Sequence, residues 1–429
     1  MADFYQSSSI STLHRLRSGR LSTLESELSQ FSRQRGIGLI LPALITEFER
    51  PAMRRIVDDL RNVRYYNNIV VAVGRATRDQ VQSVSKWFDG FASPVTLLWI
   101  EDPKVQSVLK DLDRAGMPAP VDGKGRTCWL SMGYLLAEGH SDVIALHDCD
   151  IVNYSREIPA ALAYPLTHPR MDFDFCKGYY ARTSGKLHGR VTRLFLAPLV
   201  EAMREHLPES KFLSFLSEFR YPLAGEFALT ANLAREVRVP SDWGLEVGIL
   251  SEVYQHAGPS RVCQADIADN YEHKHQDLSA SDATKGLRRM TFEIAGALFR
   301  SLERHGVRIP EPRLRQIAND YGRQAGAKVR QYEADALMNG LSYDRMEEIR
   351  AVHSFGDSLE EAITLQQQAA PSPLPNWGAV ERSAPHLMRQ LLDCSFTSSF
   401  PAAQPRRSRV AKWLNDRVPT AANMLPEAP

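Results

Sequence analysis

Two aspartates separated by one residue are the clearest candidates for chemistry in the sequence. Asp148 and Asp150 directly follow the apolar run 143–146. In an extended chain, residues two apart point to the same side, so both carboxylates can face one divalent cation. Such a cation can bridge the two phosphates of a nucleotide sugar and stabilise a departing diphosphate. Taken alone, an Asp-x-Asp pair at a strand end is more often a turn or solvated surface, and only its context favours a metal site.

Two basic, glycine-containing segments lie on either side of this pair. Lys124, in the segment 123–125, precedes a helical pattern, and a helix N-terminus with a lysine beside it suits a diphosphate. A simple helix cap would look the same, so both interpretations stand equally. Downstream, Gly189, Arg190 and Thr192 offer a guanidinium and a hydroxyl for an acceptor anion, although a solvated loop is the ordinary alternative.

Three further titratable side chains complete the candidate set. Glu226 follows a glycine among apolar residues, where a carboxylate either holds sugar hydroxyls or acts on a proton, or else forms a buried salt bridge. His273 and His275 are two residues apart, so one imidazole could bind a metal and the other a substrate oxygen. Isolated surface histidines are the commoner case for such a pair.

The elements that must position these residues are short apolar runs alternating with helical segments. The runs cover residues 37–42, 68–73, 95–100 and 143–146. Runs buried on both faces and separated by helices predict an α/β fold with a mostly parallel sheet and helices on both sides. Ligands bind at the carboxyl ends of such strands, which is where Asp148 and Asp150 stand.

Changes of pattern along the chain predict four regions. Leucines at helical spacing predict an N-terminal helical extension over residues 1–35, before a catalytic domain over 36–280. Residues 281–366 lack strand-like runs and predict a helical subdomain. Residues 367–429 are rich in Pro, Ser and Ala and predict a partly flexible tail.

Composition excludes several classes of function. The 429 residues include 52 basic and 51 acidic side chains, so no overall field draws the protein to nucleic acid or to an anionic membrane. The five cysteines form no CxxC pair, which argues against a disulfide framework or a zinc site. The first residues do not resemble a secretion signal, and no apolar run approaches the roughly 20 residues that span a bilayer. These features predict a cytoplasmic protein.

The order of the candidate segments is more specific than any one of them. In chain order they are Pro42-Ala43-Leu44, Gly123-Lys124-Gly125, Asp148-Cys149-Asp150, Lys177-Gly178-Tyr179-Tyr180-Ala181-Arg182, Gly189-Arg190-Val191-Thr192, Leu223-Ala224-Gly225-Glu226, Gly244-Leu245-Glu246-Val247-Gly248 and His273-Lys274-His275. This succession resembles the glucosyl-3-phosphoglycerate synthases and the related mannosyl-3-phosphoglycerate synthases, which are retaining glycosyltransferases of the GT-A fold. The resemblance covers residues 37–276 and adds nothing for either end of the chain.

The resemblance implies roles for individual residues. On the donor side it implies that the base and ribose lie against Pro42, Ala43 and Leu44, with Thr46 or Glu47 at the base edge. It implies that Lys124 contacts the diphosphate, and that Asp148 and Asp150 hold the sugar and a Mg²⁺ or Mn²⁺ ion, with Asp150 and His273 as the metal ligands. It implies that 3-phosphoglycerate is bound by Gly189, Arg190 and Thr192. It also implies that the hexose pocket is shaped by Leu223, Ala224 and Glu226. His275 stands where many relatives carry asparagine, as a further acceptor contact.

The implied reaction is transfer of glucose from a nucleoside diphosphate glucose to the 2-hydroxyl of 3-phosphoglycerate. Mannosyl transfer from GDP-mannose to 3-phosphoglycerate, or to its glucosylated form, is the alternative. A sugar-phosphate nucleotidyltransferase ranks lower because the segment 42–47 after the first strand lacks the glycine-rich loop of those enzymes. A sugar-nucleotide sensor ranks last. The segment 71–76 departs from the family's usual turn, which leaves the nucleoside open, and a homodimer is one option for the assembly.

Overall fold

A nine-stranded sheet forms the centre of the molecule. The computed structural model describes residues 6–17, 19–272, 286–365 and 373–396. The strands are β1 (Ser11–Leu13), β2 (Ile37–Leu44), β3 (Asn68–Gly74), β4 (Val95–Trp99), β5 (Val143–Leu146), β6 (Phe175–Tyr180), β7 (Phe227–Thr230), β8 (Val262–Ala268) and β9 (Ser395–Phe396). Their spatial order is β1-β8-β6-β7-β5-β2-β3-β4-β9.

Helices cover both faces of this sheet and form a group of their own towards the C-terminus. They are α1 (Leu21–Phe31), α2 (Pro51–Leu60), α3 (Arg78–Ser85), α4 (Pro103–Arg114), α5 (Lys124–Glu138), α6 (Glu157–Thr167), α7 (Ala197–His206), α8 (Lys211–Ser217), α9 (Ala231–Glu236), α10 (Leu245–His256), α11 (Gly286–Arg304), α12 (Glu311–Met338), α13 (Arg345–Leu365), α14 (Trp377–Ser383) and α15 (Pro385–Leu392). Short 3₁₀ turns occupy Ile45–Glu49, Lys86–Phe88 and Pro259–Arg261, and a π-helical turn occupies Val191–Leu196.

The prediction of a mostly parallel, doubly covered sheet is confirmed. β2 pairs in parallel with β3 and β5, β3 with β4, and β8 with β6 and β1, whereas β7 runs antiparallel to its neighbours β5 and β6. β3 and β5 are buried along their whole length, because apolar residues point to helices on both faces. The register Ile40↔Leu146 and Leu44↔Gly74 brings the carboxyl ends of β2, β3 and β5 to one edge.

The N-terminal segment contributes a strand to the sheet as well as a helix. The sequence pattern predicted only helix over residues 1–35, but β1 pairs in parallel with β8 through Ser11↔Cys263. A three-residue strand carries too little periodicity to be distinguished from a loop in the sequence. The helix α1 packs on α6, where Tyr164 donates a hydrogen bond to Glu27 at 2.7 Å.

The helices α11, α12 and α13 share the core of the sheet domain. Tyr321 of α12 is buried and its hydroxyl donates to Leu194 O at 2.9 Å, within the π-helical turn. Phe195 makes edge contacts with Tyr321 and with Phe355 of α13, with ring centroids 5.8 and 5.9 Å apart. The predicted helical subdomain therefore packs against the residues that follow Gly189 and Arg190 in the chain.

Part of the segment predicted as a partly flexible tail is folded against the core. Trp377 stacks on Trp129 of α5 at 4.2 Å, and each indole nitrogen donates to a backbone carbonyl of the other segment. β9 pairs antiparallel with β4 through Leu98↔Ser395. These contacts could not be predicted from the proline-rich composition, because the apolar residues that make them are few and widely spaced. No helix of the described chain is long and apolar enough to cross a bilayer.

Candidate active site

Asp148, the first of the two aspartates after β5, contacts the first residue of α5. Lys124 Nζ lies 2.6 Å from Asp148 Oδ1 and 3.5 Å from Glu246 Oε1, on the first turn of α10. Burial by itself lowers the pKa of Lys124, but the charges of Asp148 and Glu246 raise that pKa well above its usual range. Lys124 is therefore a fixed positive charge at a helix N-terminus, which suits an anionic leaving group.

Gly225 lets the backbone approach this ion pair. A Cβ at position 225 would lie 2.6 Å from Asp148 Oδ2 and 3.0 Å from Lys124 Nζ, closer than real Cβ contacts. The loop that holds Leu223, Ala224 and Glu226 therefore closes directly over the aspartate and the lysine. Leu223 and Ala224 are both buried there. The structure thus brings the predicted hexose pocket next to the predicted diphosphate contact.

Asp150 is a carboxyl that lies near three other carboxylates. Burial and the negative charge of Asp148 raise its pKa to about 7, with Glu47 and Glu226 adding to the effect. A divalent cation would relieve this repulsion, and carboxylate oxygens are the ligands that Mg²⁺ and Mn²⁺ prefer. Asp148 and Asp150 therefore fit the predicted metal site. His273, its predicted third ligand, lies outside the described residues, and within the described ones no three acidic, His or Cys side chains form a metal cluster.

The predicted nucleotide contacts lie at the neighbouring strand end. Ala43 is buried, Pro42 is partly buried, and Leu44 is 42% exposed where β2 ends. Thr46 is exposed and Glu47 half-buried in the following 3₁₀ turn, where Glu47 lies 3.5 Å from Arg50. An apolar strand end beside the aspartates can accommodate a flat base and a ribose.

Glu226 is held from two sides by tyrosine hydroxyls. Tyr180 donates to Glu226 Oε2 at 2.7 Å, and Tyr271 donates a short hydrogen bond to Oε1. The two rings stack with centroids 3.8 Å apart. Burial, and then the charge of Asp148, raise the pKa of Glu226. The carboxyl is fully buried, so the tyrosines fix its orientation towards the site.

A buried lysine supports the same loop from beneath. Lys177 is 1% exposed, its ammonium donates to Ala224 O at 2.5 Å, and it lies 5.5 Å from the ring centre of Phe227. Burial lowers the pKa of Lys177 to about 8, although nearby carboxylates oppose that change. Lys177 therefore holds the backbone at Ala224, next to Gly225.

Arg190, the predicted acceptor contact, is already paired with α13. Its Nε lies 2.7 Å from Glu348 and its NH2 2.8 Å from Glu347. Arg193, one turn later, also pairs with Glu348, at 3.0 Å. Thr192 is buried at the start of the π-helical turn, after Gly189 with its positive φ of 73°. π-Helical turns are frequent at functional sites. To bind an acceptor, however, Arg190 would have to divide its guanidinium between that acceptor and its glutamate partners.

Arg182 has a guanidinium donor that the described residues leave unused. Its NH1 donates to Tyr221 at 2.9 Å, while its buried Nε finds no hydrogen-bond partner within the described chain. Tyr221 also packs on Tyr180, with ring centroids 5.0 Å apart, and faces Gly189. Arg182 therefore lies between the Glu226 cluster and the predicted acceptor segment, with a donor available for an anion.

The sequence analysis gave no role to some of these residues, and two of the residues that it did select lie outside the described chain. Lys177, Tyr180 and Arg182 stood in a noted motif without a role, and a lysine inside an otherwise apolar strand was the available signal. Tyr271 offered no signal, because a single tyrosine after a strand is ordinary. His275, like His273, lies outside the described residues.

Comparison with known proteins gives close relatives over most of the chain. It is 46% identical over 362 residues to glucosyl-3-phosphoglycerate synthase of Persephonella marina, covering 84% of this chain and 90% of that protein. It is 35% identical over 397 residues to the synthase of the same name from Methanococcoides burtonii, covering 91% and 96%. No protein-family model matches the chain.

Solved structures show the same fold. Glucosyl-3-phosphoglycerate synthase from Mycobacterium tuberculosis, in complex with Mn²⁺, UDP-glucose and phosphoglyceric acid, gives a TM-score of 0.50 at 23% identity over 70% of this chain and 89% of that one. Its complex with Mn²⁺, UDP and phosphoglyceric acid gives 0.50 at 22% identity, over 70% and 88%. These likenesses concern the fold, and they agree with the predicted GT-A architecture. On the strength of the two close relatives, the chain belongs to the glucosyl-3-phosphoglycerate synthase family.

Proposed function

We propose that this protein transfers glucose from a nucleoside diphosphate glucose to the 2-hydroxyl of 3-phosphoglycerate, with retention at the anomeric carbon. The observation that carries the proposal is the 46% identity over 84% of the chain to a glucosyl-3-phosphoglycerate synthase. The meeting of Lys124, Asp148 and Glu226 at one edge of the sheet supports it, since these are groups that such a transfer needs.

The donor lies with its diphosphate at the N-terminus of α5. A Mg²⁺ or Mn²⁺ ion bound by Asp148 and Asp150 would supply further positive charge to the leaving diphosphate. Lys124 supplies its own charge there without reorganisation, because Asp148 and Glu246 already hold its ammonium in place. The base and ribose occupy the β2 end at Pro42 to Leu44, with Thr46 and Glu47 at the edge of the base.

The hexose sits under the loop of Leu223, Ala224 and Glu226. Because Tyr180 and Tyr271 fix both oxygens of Glu226, that carboxyl presents a defined acceptor to sugar hydroxyls. Lys177 holds the Ala224 carbonyl and so keeps the loop against Asp148. Glu226 binds and orients the sugar, while Lys177 is a positioning residue.

The acceptor binds at Arg182, Gly189, Arg190 and Thr192. The unused Nε of Arg182 supports a direct contact with the phosphate or carboxylate of 3-phosphoglycerate. Arg190 joins it by exchanging one of its two glutamate partners for the acceptor. The acceptor 2-hydroxyl oxygen then bonds to the anomeric carbon as the bond to the diphosphate oxygen breaks, on the same face. The hydroxyl proton passes to the departing diphosphate oxygen, so no protein base is required.

The cysteines support a reducing compartment for this reaction. All five thiols are buried and free in the structure, which is the state expected where disulfides do not form. We therefore place the enzyme in the cytoplasm.

The test is a donor panel with a matched pair of variants. The protein is incubated with Mn²⁺, 3-phosphoglycerate and UDP-, ADP- and GDP-linked glucose and mannose, and the product is identified by mass and NMR. We expect α-glucosyl-3-phosphoglycerate from at least one glucose donor. Transfer from mannose donors alone, or release of pyrophosphate from nucleoside triphosphate and sugar phosphate, would contradict the proposal.

The variants separate the site from the fold. Lys124→Gln removes the charge at the diphosphate and is expected to lower kcat by at least about 100-fold, as loss of a preorganised charge does. Lys110→Gln, on the exposed face of α4, is expected to leave kcat unchanged. Equal activity of the two variants would remove Lys124 from the mechanism.

A further inference from the structure

A second cavity, behind the Lys124 helix, is lined by arginines that the proposed reaction does not use. Its volume is about 400 Å³, and it lies between α10, α11 and the loop 238–242. Its charged lining residues are Arg238, Asp242, Glu252, Arg300, Glu303 and Arg304. A cavity of this size is within the range that small ligands occupy.

One buried carboxylate is shared by two guanidiniums in this cavity. Glu252 is 1% exposed and forms a short ion pair with Arg304 NH1. The same carboxylate accepts the backbone N–H of Arg238 at 3.1 Å and lies 3.9 Å from its Nε. His256 Nε2 lies 3.6 Å from Glu252 Oε2, the oxygen that accepts the Arg238 N–H. Glu252 therefore balances one of the two permanent positive charges that face it.

The other two carboxylates of the lining pair with other arginines. Asp242 is half-buried and pairs with Arg300 at 3.1 Å, while it also accepts the Gly244 N–H. Glu303, the third carboxylate of the lining, is 58% exposed and its ion pair is with Arg308, at 3.5 Å. The lining thus holds three guanidiniums and three carboxylates, and Glu252 is the buried carboxylate that Arg238 and Arg304 share. Burial lowers the pKa of Arg304, and the nearby charge of Arg238 adds to that effect.

The cavity shares its walls with the active site. The loop 238–242 lies directly on the first turn of α5, because the Pro240 carbonyl occupies the place where a Gly125 side chain would be. An added Cβ at Gly123 would lie 3.0 Å from Ser241 O. α10 carries both Glu252, inside the cavity, and Glu246, which contacts Lys124. A ligand in the cavity would therefore contact the elements that pack around Lys124, the predicted diphosphate contact.

We propose that this cavity is a second anion site, which binds a small molecule through a phosphoryl group between Arg238 and Arg304. Arg238 and Arg304 share the single charge of Glu252, and a phosphoryl group would bring them further negative charge with acceptor oxygens for guanidinium donors. In the described chain, one guanidinium nitrogen of Arg304 and one of Arg238 pair with Glu252, which leaves their other nitrogens for the ligand. Free phosphate and a phosphorylated metabolite share this chemistry.

Titration with inorganic phosphate tests the proposal. Calorimetry is done at constant ionic strength, without added metal or nucleotide, on the full chain and on three variants. We expect saturable binding to the unmodified protein, and at least about tenfold weaker binding to Arg238→Gln/Arg304→Gln, since two charged hydrogen bonds are lost. Arg308→Gln, outside the cavity, and Arg182→Gln, in the proposed acceptor site, are expected to bind phosphate as the unmodified protein does.

Two results overturn the proposal. One is equal phosphate affinity in the unmodified protein and in Arg238→Gln/Arg304→Gln, and the other is loss of binding in Arg182→Gln, which would assign the phosphate to the active site. If the double variant does not fold, Arg238→Gln alone gives the same test, because it leaves the ion pair of Arg304 with Glu252 intact.

A second titration, with 3-phosphoglycerate on Arg182→Gln, distinguishes the sources of the phosphoryl group. Binding tighter than that of inorganic phosphate, and weakened when Arg238 is also replaced by Gln, supports a phosphorylated metabolite as the occupant. Binding no tighter than that of inorganic phosphate supports free phosphate. Absence of binding by both probes overturns the proposal.

Discussion

Replacing Gly225 by alanine places one methyl group in the contact between Lys124 and Asp148. The new Cβ would lie 2.6 Å from Asp148 Oδ2 and 3.0 Å from Lys124 Nζ, where ordinary contacts begin at about 3.4 Å. The 2.6 Å ion pair between these side chains leaves them little room to move without parting. Either the carboxylate turns away from the lysine or the loop of Glu226 lifts from the site.

The expected loss follows from the size of that displacement. Relieving the overlap requires a movement of nearly 1 Å, and a misplacement of about 1 Å in an active site costs about 100-fold in rate. That corresponds to about 2.7 kcal/mol of transition-state stabilisation. We expect this loss in kcat, because the groups that move act on the departing diphosphate. The folded state should persist, since the Asp148 side chain is half-buried and can rotate towards solvent.

The assay compares kcat, KM and thermal unfolding of Gly225→Ala with those of a matched glycine variant. Gly322 is exposed in α12 and has no atom within 4 Å of an added Cβ. Gly322→Ala should keep full activity and gain about 0.5–1 kcal/mol of stability from helix propensity. A Gly225→Ala enzyme that is folded and within threefold of the parent kcat would refute the close approach described here.

Three other substitutions test separate parts of the account. Lys177→Met keeps the buried volume but loses the hydrogen bond to Ala224, so kcat should fall about tenfold while stability stays equal or rises. Tyr180→Phe removes one of the two hydroxyls on Glu226, which should lower kcat by about tenfold or more. Glu138 has a pKa raised by burial from 4.5 to about 7, so stability should fall by about 2–3 kcal/mol as the pH rises from 4.5 to 7. Glu138→Gln should remove this contribution.

Each of these has a measurement that would contradict it. Steady-state kinetics on Lys177→Met showing an unchanged kcat would mean that the lysine does not position the loop. Tyr180→Phe keeps the ring stack on Tyr271, so a kcat equal to that of the parent would mean that the lost hydroxyl is not needed to orient Glu226. For Glu138, denaturant unfolding should show a larger fall in stability from pH 5 to pH 7 in the parent than in Glu138→Gln, because the folded parent retains a proton on Glu138 that the unfolded chain releases. An equal fall in both proteins would mean that Glu138 does not cause this part of the pH dependence.

The sequence predicted the sheet and its functional edge because both depend on local signals. Long apolar runs and the Asp148-x-Asp150 pair can be recognised within about ten residues, and the structure brings Lys124 and Glu226 to the same edge. β1 and β9 were not predicted, because strands of three and two residues carry almost no periodicity. The antiparallel pairing of β7 with its neighbours was not predicted either.

The contacts that modify the predicted site depend on residues distant in sequence. Arg190 pairs with Glu348, 158 residues later, so its engagement could not be read from the motif around it. Trp377 stacks on Trp129, 248 residues earlier, within a segment whose composition predicted flexibility. Arg182 appeared as one of several basic loop residues, and only the folded chain distinguishes its unused Nε. Pairing of this kind is a property of the tertiary structure.

Binding of Mn²⁺ in the presence of UDP tests the central claim most directly, because the account requires the carboxylates at the β5 end to hold a metal ion. Calorimetry on the parent, on Asp150→Asn and on Asp113→Asn, an exposed control in α4, gives the metal affinity independently of turnover. We predict one Mn²⁺ per chain for the parent and for Asp113→Asn, and at least about tenfold weaker binding for Asp150→Asn. Undiminished Mn²⁺ affinity in Asp150→Asn would contradict the account.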